Sequence, residues 1–371
     1  MVTHAARPIL LDLTLDQLGV ALKQAGQPGY RAKQVFHWLH RRGVVDPEAM
    51  TDLPAGLRNS LAEQFTIHPL KHKATQESAD GSVKFGWLTL DGAPVEAVLM
   101  PGFDYGSAVC VSSQSGCSLG CGFCQTGRLG LREQLSAGMI LAQLYEAEAQ
   151  LGKPVDRLVL MGMGEPLLNL GAVHRVVEVL TAAEGRDWSP RRITVSTVGL
   201  AKPLVKLARE FPRINLALSL HFTTAEKRQR HMPRAEAEPE RLAELLYFYR
   251  LINGGKITIE YALMDGLNDR ERDARRLARF ARLAGLDEES ELVQEANESP
   301  EPARLQPLPL HVNLIAYNPV PAAPEYQPAP EARVNEFAAL LRDSGVPVTV
   351  RHSRGADISA ACGQLGAELA E

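Results

Sequence analysis

Four of the five cysteines in this chain of 371 residues lie in one short stretch. The stretch reads CVSSQSGCSLGCGFC and runs from Cys110 to Cys124, whereas the fifth cysteine, Cys362, lies close to the C-terminus. An odd number of tightly grouped cysteines does not fit the disulfide framework of a secreted protein, and in a reducing compartment it indicates metal binding or catalysis. The cysteines therefore predict chemistry rather than cross-linking.

Cys117, Cys121 and Cys124 have the spacing C-x3-C-x2-C, which suits a loop that wraps a metal cluster. The glycines beside them, which permit a tight backbone path, are Gly116, Gly120 and Gly122. Three thiolates are one fewer than the four that close an ordinary iron–sulfur cluster or a structural zinc site. A [4Fe–4S] cluster with three thiolates keeps one iron open to a chelating ligand such as the amino-acid end of S-adenosylmethionine. The alternative is a structural zinc ion with Cys110 or a distant His as fourth ligand.

The elements that must position these thiols begin at about residue 107, where short apolar runs alternate with helical patterns. The runs are AVCVSS, DRLVLMG, RITVST, NLALSLH, KITIEYALM, HVNLIAY and VPVTVR. This alternation predicts an α/β fold in which βα units form a partial or full barrel of TIM type. In such barrels the chemistry takes place at the carboxyl ends of the strands.

The segments predicted at those strand ends are all polar, ionisable or rich in glycine. They are the cysteine loop, Gly162 to Pro166, Ser196-Thr197, Ser219-Leu220-His221, Asp265-Gly266, Asn318-Pro319 and Arg354-Gly355. The sequence therefore predicts one site built from loops around one barrel mouth.

Two further units precede the barrel. The patterns LDQLGVALKQAG, RAKQVFHWLHRRG and LPAGLRNSLAEQF predict helices, and residues 82–100 predict two strands joined at Asp91-Gly92. We therefore predict a helical accessory domain over residues 1–75, a β-hairpin linker over 76–106 and the barrel over 107–371.

The net charge of −4 does not exclude a nucleic-acid partner. Residues 286–304, LDEESELVQEANESPEPAR, hold seven acidic residues and one basic residue, which leaves the rest of the chain at +2. We predict that this segment is an acidic insertion, as a solvated or disordered loop. Basic residues elsewhere form groups that suit either solvated helix faces or phosphate contacts: Arg31, Lys33, Arg41 and Arg42; Arg191 and Arg192; Lys227, Arg228, Arg230 and Arg234; and Arg270 to Arg282.

The N-terminus MVTHAARPIL lacks the pattern of a secretory signal, and no run of about 18 apolar residues could span a membrane. These features predict a soluble cytoplasmic protein with no membrane partner, and we expect it to be a monomer.

The cysteine loop, with Phe123 before its last cysteine and a parallel barrel after it, resembles the radical S-adenosylmethionine superfamily. Gly162 to Pro166 is similar to the glycine-rich segment of that superfamily, whose backbone meets the amino group of the ligand. The resemblance implies a [4Fe–4S] cluster on Cys117, Cys121 and Cys124, with S-adenosylmethionine bound to it.

Over roughly residues 8–366 the chain resembles, more narrowly, the RNA adenosine methyltransferases of the RlmN and Cfr family. The stretches that carry this resemblance are VCVSSQSGC, MGMGEPLLN, ITVSTVGL, LSLH, HVNLIAYNPVP and RGADISAACGQL. It implies a radical enzyme that methylates C2 of an adenosine in 23S rRNA, with tRNA as a further candidate substrate. It also implies an electron donor such as flavodoxin or ferredoxin.

The family mechanism gives the two remaining cysteines separate roles. Cys362 would take a methyl group from one S-adenosylmethionine, and a radical made from a second molecule would activate that methyl group and join it to adenine. Cys110 would then form a transient disulfide with Cys362 and release the base. A radical route suits the chemistry, because C2 and C8 of adenine are electrophilic carbons that will not attack a sulfonium methyl group.

The resemblance also implies roles for other residues. Gly164 and Glu165 would contact S-adenosylmethionine, and the rest of its pocket would comprise Ser196, Ser219, Leu220, His221 and Asn318. Glu96 would be a proton acceptor, although it could equally be a solvated strand carboxylate, and His221 could be a satisfied polar residue at a strand end. The helical domain would dock RNA through phosphate contacts, and the target adenosine would be unstacked or flipped.

Three departures from the family pattern leave the RNA substrate open. They are Gln125, Phe222-Thr223-Thr224 and HMPRAEAEPERL, and each lies near the predicted mouth. The alternatives are methylation at C8 with antibiotic resistance, a noncatalytic iron–sulfur protein that binds RNA or senses redox state, and a radical enzyme for a small molecule or polypeptide. The last alternative leaves the paired thiols and the helical domain unexplained.

Overall fold

A computed structural model describes residues 7–102, 106–298 and 307–366. Within these ranges the helices are α1 Leu15–Gln24, α2 Tyr30–Phe36, α3 Ala55–Gln64, α4 Gln125–Leu129, α5 Ala137–Leu151, α6 Leu170–Thr181, α7 Ala201–Glu210, α8 Ala225–His231, α9 Pro239–Ile252, α10 Glu271–Ala281, α11 Glu291–Glu298 and α12 Glu331–Asp343. The strands are β1 Lys71–Glu77, β2 Val83–Leu88, β3 Pro94–Met100, β4 Ala108–Cys110, β5 Gln114–Gly116, β6 Leu131–Gln134, β7 Arg157–Leu160, β8 Ile193–Thr197, β9 Asn215–Ser219, β10 Ile257–Leu263, β11 His311–Ala316 and β12 Val348–Arg351.

One ten-stranded sheet organises the molecule, in the order β1-β2-β3-β4-β7-β8-β9-β10-β11-β12. The first four strands pair antiparallel, and the strands from β4 onward pair parallel. Each of the seven predicted apolar runs contains one of these parallel strands, so the predicted α/β fold is confirmed. No pairing among the described residues joins β1 to β12.

The chain that follows β12 crosses the gap between the two edges of the sheet. The amide of Gly355 donates to Asp80 Oδ2 at 3.0 Å, and the hydroxyl of Ser78 donates to Asp357 Oδ1 at 2.6 Å. Asp80 and Ser78 belong to the turn between β1 and β2. The segment that carries Cys362 thus begins by fastening the last strand to the first hairpin.

The N-terminal helices form where predicted. Thr14 and Gln17 make reciprocal side-chain and backbone hydrogen bonds of 2.8 and 2.9 Å that fix the start of α1. Leu18 and Leu22 lie on its buried face. After α2, residues His37–Arg41 continue the helix in a wider π-type turn.

Buried polar contacts join these helices to the barrel. His40 Nδ1 lies 2.8 Å from the hydroxyl of Tyr145 on α5, and the amide of Gly138 donates to Asp12 Oδ1 at 2.6 Å. Arg186 forms a buried ion pair with Glu148. The apolar core is also continuous from α1 through α12.

The predicted hairpin forms, but it is not a separate linker. β2 and β3 pair around Gly92, and β3 also pairs with β4, so the hairpin is part of the main sheet. The sequence analysis missed β1, and the expected boundary after residue 75 lies inside it. β1 reads KHKATQE and is an edge strand with mostly exposed side chains, so it lacks the apolar alternation that reveals other strands.

The prediction that residues 286–304 form a solvated or disordered loop is wrong for residues 291–298. These residues form α11, in which Leu292, Val293 and Ala296 are buried. α11 packs on α9, and the hydroxyl of Tyr247 donates to Asn297 Oδ1 at 2.6 Å. The seven acidic residues within 286–304 concealed a short amphipathic helix. Residues 299–304 lie outside the described ranges.

None of the helices in the described ranges is both long enough and apolar enough to cross a membrane.

Candidate functional site

The cysteine loop lies at the carboxyl ends of the parallel strands and is closed at its base. β5 pairs with β6, and the amide of Cys117 donates to Gly130 O at 3.0 Å. Gly116 has φ +72°, and a Cβ there would lie 1.8 Å from Gly130 O. Only glycine fits this close approach, and the paired strands therefore hold both ends of the loop together.

Cys117 and Cys121 are buried and Cys124 is partly buried, each as a free thiol. Burial raises the pKa of Cys117 to about 12, and the charge of Cys124 raises it further. Burial also raises the pKa of Cys121, which the charges of Cys124 and Cys117 then increase. Three thiols that disfavour one another's ionisation in this way are a site for cations, because bound metal replaces their protons.

Aromatic and apolar side chains surround the loop. They form a buried cluster with the cysteines that includes Phe123, Val198, Phe222, Met232, Tyr317 and Tyr326. The hydroxyl of Tyr317 donates to Phe123 O at 3.0 Å, and the amide of Gly122 donates to His231 O at 2.9 Å. The loop is therefore held in a dry environment, which controls the redox properties of a bound metal centre.

These residues fit a [4Fe–4S] cluster. In the described part of the chain, no group of three or more His, Cys, Asp and Glu side chains is arranged to hold a single metal ion. Cys110, one of the two kinds of fourth ligand in the zinc alternative, interacts with Cys362 instead. Cys117, Cys121 and Cys124 would each bind one iron of a cluster and leave the fourth iron open.

The glycine-rich segment follows β7 and lies against the cysteine loop, as predicted. Gly164 has φ +99°, and a Cβ there would lie 2.5 Å from Gln114 Cβ. The amide of Glu165 donates to Gln114 Oε1 at 2.8 Å. The close approach explains why position 164 is glycine, since any side chain would displace Gln114.

Glu165 is buried and fixes the ends of two strands. One carboxylate oxygen accepts the amide of Val198 and the other accepts the amide of Leu167, both at 3.1 Å. Burial raises the pKa of Glu165 to about 7, although hydrogen bonds from Thr197 and these amides oppose the shift. In this structure Glu165 joins the segment after β7 to the end of β8.

Ser196 and Ser219 lie together at the ends of β8 and β9, with their hydroxyl oxygens 3.3 Å apart. The side chain of Leu220 is fully buried, and its amide donates to Glu260 O at 3.1 Å. The predicted pocket residues of these two strands therefore line one stretch of the mouth, with Leu220 acting through its packing and backbone.

His221 has a fixed tautomer. Its Nδ1 accepts the amide of Ala262 at 3.1 Å, so the ring proton lies on Nε2. Burial lowers the pKa of His221 to about 3, and the positive charge of Arg228 lowers it further. His221 is therefore a neutral donor, and its left-handed backbone, with φ 52°, indicates a constrained position.

The segment that carries Cys362 lies across α4, directly after the cysteine loop. The amide of Gln125 donates to Gly363 O at 2.9 Å, and the hydroxyl of Thr126 donates to Leu365 O at 2.7 Å. Both bonds come from the helix that begins beside Cys124. The departure from the family pattern at Gln125 therefore lies in contact with the Cys362 segment.

Asn318 holds Cys362 from the other side. Its side-chain amide donates to Cys362 O at 3.1 Å, and its carbonyl oxygen accepts the hydroxyl of Ser353. We predicted Asn318 as part of the cofactor pocket. In this structure both of its polar groups support the Cys362 segment.

Glu96 lies inside the barrel on β3. Its side chain is 1 % exposed, and Oε2 accepts the amide of Gly366 at 2.7 Å. The alternative of a solvated strand carboxylate is therefore wrong. Val98 is the register partner of Cys110, and Glu96 is two residues from Val98, so all three side chains point to the same face.

Cys110 and Cys362 come together at the mouth. Cys110 packs against the small apolar cluster of Val98, Met163, Ala360 and Leu365. Burial raises the pKa of Cys110, and the charge of Cys362 raises it further. Cys362 has exposed surface, and burial, followed by the charge of Glu260, raises the pKa of its thiol. Both thiols are free here, and the transient disulfide stays a prediction.

One residue of the mouth was missed. Glu260 on β10 is buried, and its Oε1 accepts Asn313 Nδ2 at 2.7 Å and the Thr258 hydroxyl at 3.0 Å. Its negative charge raises the pKa of Cys362. A single carboxylate within the apolar run KITIEYALM was the available signal, because a buried charge inside a strand needs a polar partner.

Two family models match this chain. Residues 9–67 match the family model described as Ribosomal RNA large subunit methyltransferase N-terminal domain, and residues 111–278 match the Radical SAM superfamily model. A dual-specificity RNA methyltransferase RlmN from Anaeromyxobacter sp. (strain Fw109-5) is 40 % identical over 98 % of this chain and 91 % of its own length.

Two further proteins are similar over nearly the whole chain. A probable dual-specificity RNA methyltransferase RlmN from Salinibacter ruber is 41 % identical over 92 % of this chain and 89 % of its own length. A crystal structure of a radical SAM methyltransferase from Sphaerobacter thermophilus superposes with a TM-score of 0.85 at 41 % identity, over 96 % of this chain and 98 % of that one.

Proposed function

Because this chain belongs to the RlmN family of radical S-adenosylmethionine RNA methyltransferases, we propose that it methylates C2 of an adenosine in 23S rRNA, with an adenosine in tRNA as a second substrate. Relatives with the dual-specificity name support the second substrate. An electron donor such as flavodoxin or ferredoxin would drive the reaction.

The observation that carries this proposal is the packing of Cys110 against Ala360 and Leu365, in the segment that carries Cys362, outside the three-cysteine loop. A radical enzyme that cleaves S-adenosylmethionine needs the three-cysteine loop alone. Two additional thiols beside a buried carboxylate suit a methyl group that is carried on sulfur and then released. When bound, the cluster and S-adenosylmethionine supply the methyl group and the radical that activates it.

Cys362 is the methyl carrier in this proposal. Its thiol has exposed surface in the mouth, so a ligand can reach it. Burial and the charge of Glu260 raise its pKa, which keeps the thiol protonated until a positively charged ligand arrives. A nearby cation favours the thiolate, the reactive form of cysteine.

Glu96 receives the proton that the methylated ring carbon loses. Its carboxylate is buried on the same face of the sheet as Cys110 and contacts the segment that carries Cys362. The hydrogen bond from Gly366 fixes the orientation of its Oε2.

Cys110 releases the product. Its thiol gives up a proton, and its sulfur bonds to the sulfur of Cys362 as the carbon–sulfur bond between Cys362 and the modified base breaks. The electron pair of the broken bond stays with the carbon, which takes up a proton and becomes the methyl group, and the protein is left with a disulfide between Cys110 and Cys362 that a thiol reductant must open before the next turnover. The Cys362 segment is held to α4 by two hydrogen bonds and to Asn318 and Glu96 by one each, so a small shift toward Cys110 breaks few contacts while β4 stays in the sheet.

The helical unit over residues 1–75 would hold the RNA. Exposed basic side chains on or beside it suit phosphate contacts: Lys33, Arg41, Arg42, Lys71 and Lys73. The buried contacts with α5 keep this unit in a fixed position relative to the mouth, where a flipped adenosine must arrive.

Nucleoside mass spectrometry tests the proposal. Protein with its cluster, S-adenosylmethionine and dithionite is incubated with 23S rRNA fragments or tRNA, and the digested RNA is compared with 2-methyladenosine and 8-methyladenosine standards. We expect 2-methyladenosine from wild type and none from Cys362→Ala. Formation of 8-methyladenosine would identify the C8 alternative. Unmodified RNA from cluster-loaded protein would favour the noncatalytic alternative.

A further inference from the structure

Arg228 differs from the other basic residues of its group. The sequence places it with Lys227, Arg230 and Arg234, as a solvated or phosphate-binding set. Arg230 and Arg234 are exposed, whereas Arg228 is fully buried. Burial of an arginine has a large desolvation cost unless its guanidinium group makes hydrogen bonds or ion pairs.

The guanidinium of Arg228 donates mainly to backbone carbonyls. It donates to Val198 O at 2.7 Å, to Leu220 O at 2.5 Å and to Glu236 O at 2.7 Å. Val198 follows β8 and Leu220 follows β9, so Arg228 fastens two strand ends of the mouth to the chain after α8. Among the described residues, no ion pair includes Arg228, and the negative charges that favour its positive form are those of Cys121 and then Glu236.

The end of α8 that carries Arg228 packs on the cysteine loop. His231 O accepts the amide of Gly122, which lies between Cys121 and Cys124. Met232 contacts Arg228, with Nη1 3.8 Å from Sδ, and belongs to the apolar cluster that contains Cys121. The positive charge of Arg228 also lowers the pKa of Cys121, which opposes the larger effect of burial.

We propose that Arg228 is a positioning residue that raises the reduction potential of the iron–sulfur cluster and fixes the strand ends beside it. This inference rests on the proposed function, because that function requires one-electron reduction of the cluster by an external donor. Reduction adds negative charge to a group that already carries three thiolates. A buried cation favours the more negative state, and its effect is large because no water screens it.

The neighbouring arginine offers a matched control. Arg230 lies two residues along the same helix but is exposed, so water and salt screen its charge. Replacing either residue by a neutral side chain removes the same formal charge. Only the replacement at position 228 should alter the cluster.

The test is an anaerobic redox titration followed by electron paramagnetic resonance, on full-length wild type, Arg228→Met, Arg228→Lys and Arg230→Gln. Circular dichroism and iron content confirm folding and cluster loading. In Arg228→Met we expect at least a tenfold shift of the reduction equilibrium toward the oxidised cluster, about 59 mV for one electron. Arg228→Lys keeps the charge and should shift the equilibrium by less than about threefold, as should Arg230→Gln.

An unchanged potential in Arg228→Met would overturn the inference, and so would equal shifts in Arg228→Met and Arg228→Lys. If Arg228→Met does not take up iron, Arg228→Lys decides alone, and a shift of tenfold or more would contradict a role for charge. The potential is read without RNA. A charge-dependent potential in a protein that methylates no RNA would keep this inference and overturn the proposed function.

Discussion

The two ends of the chain are fastened to the barrel in different ways. At the N-terminal end, His40, Asp12 and the buried pair Arg186 and Glu148 join the helices to the barrel within one continuous core. At the C-terminal end, residues 360–366 lie in the mouth on a few hydrogen bonds and a small apolar cluster. Cys362 has exposed surface within that segment.

This difference follows from what each end must do under the proposed function. A unit that holds RNA must stay at a fixed distance from the mouth. A buried ion pair and shared core packing both resist movement. A thiol that meets a methyl donor, a base and a second thiol in turn must move between them. A segment that is held by separate hydrogen bonds and a small apolar cluster, rather than by the main core, is expected to open locally at a lower free energy.

The largest expected effect is on RNA methylation, and it tests whether Cys362 and the cluster-binding cysteines are separate sites. Cys362→Ala should lower RNA methylation at least about a thousandfold, because the methyl group has no sulfur to occupy. Iron content and melting temperature should stay at wild-type values. Cys121→Ala is the matched comparison and should lose iron as well as methylation. Equal iron loss in both variants would show that the two sites are not separate.

The next effect is on the contacts that join the N-terminal helices to the barrel, which we call the N-terminal joint. Arg186→Met leaves the buried Glu148 without its partner and should lower the free energy of unfolding by about 3 kcal/mol. Arg175→Met, which breaks the partly exposed pair with Glu178, should change it by less than about 1 kcal/mol. Urea unfolding measures both. Similar values for the two variants would contradict a specially rigid joint.

The same joint should be sensitive to acid. Burial, with the charges of Arg186 and Arg175, lowers the pKa of His40 to about 3 from an ordinary 6.5. The stability that neutral His40 contributes is therefore present above pH 6.5 and is lost as the pH falls toward 3, since the unfolded chain takes up a proton that the folded one refuses. From pH 7 to pH 5 this amounts to about 2 kcal/mol.

His40→Phe should lose that part of the pH dependence, whereas replacement of the exposed His68 by Gln should leave the dependence unchanged. Unfolding free energies of the three proteins between pH 5 and pH 8 make the comparison. Parallel curves for wild type and His40→Phe would show that His40 titrates freely.

The smallest expected effect concerns the hydrogen bond by which Asn318 holds the backbone of Cys362. Asn318→Ala removes the hydrogen bond to Cys362 O and should slow methylation about tenfold through misplacement of the thiol. The free energy of unfolding should fall by no more than about 1 kcal/mol, because one hydrogen bond is lost. Single-turnover methylation and urea unfolding test this pair of values. A loss of stability as large as that of Arg186→Met would mean that both ends are equally fixed.

The sequence predicted the parallel strands and the cysteine loop well, because both rest on local signals. Buried strands are encoded by continuous runs rich in β-branched residues, and the spacing of the thiols identifies the loop. β1 and α11 were not predicted from the sequence, because edge strands and small amphipathic helices carry mostly polar residues. Their positions depend on neighbours that a local pattern does not contain.

The site was predicted less completely than the fold. Cys110 and Cys362 were paired through a family resemblance, since nothing in their spacing brings residues so far apart together. The burial of Arg228 depends on how α8 packs against the cysteine loop, and the use of Asn318 depends on where the last segment lies. Both features depend on tertiary contacts, which the sequence of a single helix or strand does not reveal.

The central claim, that Cys362 carries the methyl group, is tested most directly by peptide mass spectrometry of protein purified from cells without oxygen. The account predicts one added methyl group or its methylene remnant on Cys362 in wild type, and an unmodified Cys362 in Cys121→Ala, which lacks the cluster. An unmodified Cys362 in wild-type protein with an intact cluster and a supply of S-adenosylmethionine would contradict it.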